Sequence, residues 1–186
     1  CRRSQLPQKL NTQQTFYLAD QYGFNVKEIG LYAWFPYVGA MIGSLSGGWY
    51  VKNLMKTNSL DKSRKKVILI GAIVILLGIV GAIIFADTPE KFVSFVFIVL
   101  FGFQFSISNI QTIPSDLLAE ESVGTLAGLG GSIGAISVII MNWLIPIITV
   151  DSYTPAFLIL AVLAPLTVLS IYILIKEIKP LQTNNN

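Results

Sequence analysis

The sequence predicts an all-α, polytopic helical membrane protein with five spanning helices. Three observations carry that prediction. Only 12% of the 186 residues are charged, about half the roughly 25% of an average soluble domain. The charges are also segregated. Uncharged runs of 23, 20, 24, 29 and 24 residues separate Glu28 from Lys52, Lys66 from Asp87, Lys91 from Asp116, Glu121 from Asp151, and Asp151 from Lys176. A helix rises about 1.5 Å per residue, so about 20 apolar residues cross the ~30 Å hydrocarbon core of a bilayer. All five runs meet that length, whereas a soluble helix carries charge every few residues on its wet face.

The first span is expected over about 29–51, and a lysine-rich loop, "KNLMKTNSLDKSRKK", follows it. The second covers about 67–86 and ends at "DTPE", where Pro89 cannot continue a helix. The third runs from about 92 to 113, closed by Pro114; the fourth covers 123–149 and the fifth 154–175. Together they form a bundle over residues 28–179, with 180–186 as a flexible polar tail. Residues 1–27 contain no uncharged stretch long enough to span. They are expected to be an extracytoplasmic arm or the remnant of a preceding helix.

Orientation follows from basic residues beside the spans. Lys52, Lys56, Lys62, Arg64, Lys65 and Lys66 lie in the first loop, and Lys176 and Lys179 follow the last span. With five spans, that loop and the C-terminus share a face, which is expected to be cytoplasmic.

Composition also excludes chemistry. The chain has no histidine and a single cysteine, Cys1. No Ser-His or Cys-His pair, intramolecular disulfide or thiolate metal site can therefore be assembled. With the acids confined to loops and ends, the reading is that the chain is not an enzyme and uses neither metal nor cofactor.

Two features inside the spans point elsewhere. Gln104, Ser108, Gln111, Thr112 and Ser115 recur at helical spacing on one face of the third span, with Asn109 at its edge. A side-chain amide in hydrocarbon must find a partner. It does so by interhelical hydrogen bonds or by facing a water-filled cavity, and the number of polar side chains favours the cavity. Gln104, Ser108, Asn109, Gln111 and Thr112 are the candidate substrate-binding residues. Secondly, Gly39, Gly43 and Gly47 form a stripe on the first span, and Gly124, Gly128 and Gly131 a second at the head of the fourth. Smooth stripes let backbones approach closely, either in static packing or in gating.

"GSLSGGWYVKNLM" followed by "DKSRKKVIL" resembles the loop between the eighth and ninth helices of major facilitator transporters, with Gly48, Lys52, Asp61, Arg64 and Lys65 at motif positions. "FQFSISNIQTIPSDLLAEESVGTLAGLGG" is similar to the tenth-to-eleventh helix region of the anion:cation symporter branch, the hexuronate and galactonate transporters. The match runs through Gln104, Asn109, Ser115, Asp116, Val123, Gly124, Gly128, Gly130 and Gly131. Lys52 departs from the pattern, because the loop motif often has Asp there.

The resemblance implies that the five spans are helices eight to twelve of a twelve-helix symporter. Such a protein moves a small organic anion, such as a sugar acid, with a proton or sodium ion through a bacterial cell membrane by alternating access. The partners would then be substrate, coupling cation, lipid and an N-terminal half or partner chain. The rival reading is a non-transporting membrane subunit that packs against partner helices through the same glycines.

Overall fold

A computed structural model describes residues 32–117, 120–149 and 154–175. Six helices lie within them: α1 Phe35–Leu54, α2 Leu60–Phe85, α3 Pro89–Gln111, α4 Ile113–Leu117, α5 Glu120–Ile148 and α6 Thr154–Leu174. No strand occurs among the described residues. The expected arm over 1–27 and tail over 180–186 lie outside them.

Local chemistry sets the helix ends. Pro36 occupies the first turn of α1, where a missing N–H costs nothing. At the other end Asn58 donates to the Leu54 carbonyl through its backbone N–H (2.9 Å) and its Nδ2 (3.2 Å). α2 starts at Leu60 with Asp61 in its first turn, favourable at the positive end of the helix dipole. It therefore begins seven residues before the expected Val67. Asp61, Arg64 and Lys65 are helical residues, and the connection shrinks to 55–59. The run of uncharged residues marked where hydrocarbon begins, whereas the helix extends beyond it into the polar layer. α3 opens at Pro89 behind the Thr88 cap, whose hydroxyl accepts from the Lys91 backbone N–H at 3.4 Å. It ends at Gln111, and Pro114 sits in the first turn of the short α4 rather than closing α3.

By length and composition α2, α5, α6 and the continuous stretch Pro89–Asp116 can each cross a membrane. α1, the first expected span, has 20 residues, about 30 Å of helix, but it is not among the helices apolar enough to cross, so four of the five expected spans are seen among the described residues. Four glycines, two serines and its polar last turn make it less apolar than the others.

α3 is the centre of the bundle. α1 runs parallel to it: Gly39, Gly43 and Gly47 face the backbone of Phe97, Phe101 and Phe105 in turn. A Cβ added at Gly39 or Gly47 would come within 2.7 Å of the Phe97 or Phe105 carbonyl oxygen. Only glycine admits that approach. α2 runs antiparallel on another side, Gly71 meeting Gly102 and Ser106, Gly78 meeting Val99, and Gly81 meeting Phe95. α6 covers α2 and α3, with Phe157 on Phe92 at one end and Ile171 on Ile68 and Ile113 at the other. The helices thus alternate in direction, as consecutive spans must. The α1–α2 connection, α4 and the end of α6 share one end, which also carries the lysines of α1 and α2. α5 stands apart, touching α4 and α6, with none of its described residues buried.

Candidate functional site

The polar residues of α3 divide into two groups. Asn109 is 1% exposed. Its Nδ2 donates to the Phe105 carbonyl at 2.9 Å, and its Oδ1 accepts from Arg64 Nη1 at 3.1 Å. Arg64 also donates to Asp116, Nε and Nη2 each lying 2.9 Å from Oδ2. Thus one guanidinium on α2 ties down both the end of α3 and α4. Beside it Lys65 pairs with Asp61 at 2.8 Å, and its ammonium lies 5.5 Å from the centre of the Tyr172 ring on α6.

Gln104, Ser108, Gln111 and Thr112 form the second group, half-buried or exposed. Both hydroxyls fold back onto their own helix, Ser108 to the Gln104 carbonyl (2.9 Å) and Thr112 to that of Asn109 (2.9 Å). The side-chain amides of Gln104 and Gln111 make no hydrogen bond among the described residues. Two turns apart on one face, they are the α3 side-chain amides with their hydrogen-bonding capacity in hand. Asn109 is separated from this row. An advance of five residues turns the helix by about 140°, which carries Asn109 away from Gln104 and into the contact with Arg64.

A cavity of about 640 Å³ opens between α2, α3 and α6, bounded also by Tyr37 and Ile145. It is apolar, and none of the five predicted substrate-binding residues lines it. Its serine and threonine hydroxyls, Ser106 and Thr167, donate to the Ile68 carbonyl at 3.2 Å and the Leu163 carbonyl at 2.9 Å, and the third hydroxyl at its boundary is the Tyr37 phenol. Walls so largely apolar offer an anion little in exchange for its hydration.

The other expected residues fall as follows. Gly39, Gly43 and Gly47 lie in the α1–α3 seam, while a Cβ on Gly124, Gly128 or Gly131 would meet nothing within 4 Å. Gly48 is equally open, and Lys52 is exposed. Among the described residues no group of three His, Cys, Asp or Glu side chains could hold a metal. Sequence reasoning overlooked Ser106, buried against Gly71, and the joining of Asn109 and Asp116 through Arg64. Their seven-residue spacing, two turns of one face, was a visible signal.

A family model described as Major Facilitator Superfamily matches residues 11–186, nearly the whole chain. This chain belongs to that superfamily. It is 31% identical to the hexuronate transporter of Escherichia coli K12 over 121 residues, 59% of this chain and 26% of the relative. The hexuronate transporter of Escherichia coli O157:H7 matches to the same extent. The chain thus spans about a quarter of the length of the curated relatives it matches. Within this superfamily member, the Arg64 cluster and the Gln104–Gln111 pair are the polar features of the C-terminal half of α3 that carry side-chain amides.

Proposed function

We propose that this chain forms part of a secondary transporter for small organic anions, sugar acids of the hexuronate or aldonate type being the substrate class. The observation that carries the proposal is the pair of unengaged amides, Gln104 and Gln111, on a membrane-spanning helix. Gln104, within the apolar part of α3, needs a partner at its depth; Gln111 lies nearer the polar end, level with Arg64, and a polyhydroxylated acid supplies acceptors and donors along its length. The hexuronate transporters that share 31% identity support the class. Gln104 and Gln111 would bind the substrate, and Ser108 and Thr112 would line the same face. The glycine seam of α1 and α3 would let tightly packed helices move as one body in alternating access.

The five uncharged runs contain no carboxylate, lysine or arginine. The coupling cation, proton or sodium, is therefore assigned to groups elsewhere in the protein. The lysine-rich end would face the cytoplasm of a bacterial cell, with the C-terminus on the same side.

The test is uptake of a labelled hexuronate by the transporter that contains this chain. Gln104→Ala and Gln111→Ala should each lower uptake about tenfold or more at unchanged membrane abundance, the loss of one or two hydrogen bonds to a charged ligand. Full uptake by both variants would remove α3 from the substrate site.

A further inference from the structure

We propose that Lys52, Lys56, Lys62 and Lys66 form a binding surface for anionic phospholipid headgroups. All four are exposed. Lys52 and Lys56 stand four residues apart where α1 ends, and Lys62 and Lys66 four apart where α2 begins. Lys62 and Lys66, both inside α2, share a side of its first turns, while Lys56 stands in the 55–59 connection, between Lys52 on the last turn of α1 and Lys62. Two carboxylates at this end are already engaged, Asp61 by Lys65 and Asp116 by Arg64. Neither Asp61 nor Asp116 forms an ion pair with any of the four lysines.

Their depth selects the ligand. Val67, directly after Lys66, begins the uncharged run of α2, so these ammonium groups sit at the level of the headgroups. Trp49, 67% exposed and one turn before Lys52, marks the same level as an interfacial aromatic. Lysine is a compact point charge that meets single phosphate oxygens and lacks the bidentate fork of arginine. Here the arginine is consumed internally and the outward groups are all lysines. They are spread along two helix ends, so they fit a row of phosphodiester headgroups rather than one enclosed anion. A polybasic segment beside a span draws anionic lipid to it. The inference rests on the membrane placement alone and is independent of the transport proposal.

The experiment uses the full chain in nanodiscs with Trp34→Phe and Trp143→Phe, which leaves Trp49 as the indole at the basic end. Quenching of Trp49 by acyl-brominated phosphatidylglycerol is compared with quenching by acyl-brominated phosphatidylcholine. Phosphatidylglycerol should be favoured about threefold or more, and the preference should shrink at high ionic strength. It should fall to near parity when all four lysines are changed to Gln. The pairwise variants Lys52→Gln/Lys56→Gln and Lys62→Gln/Lys66→Gln should each retain part of it. Parity in the unsubstituted chain, or a preference untouched in every lysine variant, would overturn the proposal. Loss of the preference on adding millimolar inorganic phosphate at constant ionic strength would also overturn it, assigning the surface to free anions.

Discussion

Arg64 and Asp116, 52 residues apart in sequence, are joined through two guanidinium nitrogens bound to one carboxylate oxygen. Their side chains are 11% and 20% exposed, so water does little to screen the pair. Arg64→Gln would leave Asp116 without its cation and Asn109 Oδ1 without its donor. The expected loss is about 3 kcal/mol of stability, the scale of breaking a buried pair from one side. Denaturation in mixed micelles would read it. The double variant Arg64→Gln/Asp116→Asn should recover part of that loss, and strict additivity in the cycle would show that the two groups are uncoupled.

Asn109→Ala and Gln104→Ala should behave differently although both remove an amide from α3. Asn109 is buried and doubly bonded, so its loss should lower stability by about 1–3 kcal/mol. Gln104 has no partner to lose, so its variant should unfold like the parent while uptake falls. The two readouts, melting and uptake, must therefore separate; a shared defect would place both residues in one role.

A side chain at Gly43 would run into the Phe101 carbonyl. Gly43→Val should cost about 1–3 kcal/mol through overpacking and loosen α1 from α3. Gly48→Ala, on the same helix with nothing near it, should cost nothing and serves as the control. Cysteine crosslinking between α1 and α3 would report the separation directly.

Gly124, Gly128 and Gly131 give the opposite expectation. Alanine at each meets open space and favours helix by up to about 1 kcal/mol per residue. The isolated chain should therefore tolerate all three together. If α5 packs against parts of the transporter beyond this chain, the same variants should lower uptake by the whole protein. Uptake compared with chain stability distinguishes the two.

Much of this architecture was legible because hydrocarbon imposes a length. Uncharged runs picked out four helices long and apolar enough to cross a membrane, and the four-residue glycine spacing located the face of α1 that meets α3. The start of α2 was not legible in the same way, because Asp61–Lys66 lie beyond the hydrocarbon, where helices continue without being apolar. In α3, helical spacing grouped Gln104 with Ser108 and Gln111 but could not show that Asn109 is spoken for. Its partner Arg64 lies 45 residues away on another helix, and no local pattern encodes that meeting. Asp116 was read as a loop acid for the same reason.

Arg64 and Lys65 are consecutive, and so point about 100° apart around the axis of α2. One grips α3 and α4, the other leans on Tyr172 of α6. A helix held on two sides by adjacent residues behaves like a keyed shaft: turning it to ease one grip pulls against the other. The first turns of α2 therefore resist rotation about their own axis. The far end is held by Gly78 and Gly81 against Val99 and Phe95, contacts of shape without directional bonds. Torque applied to α2 would be absorbed by twisting at that far end, and the basic end would keep its bearing.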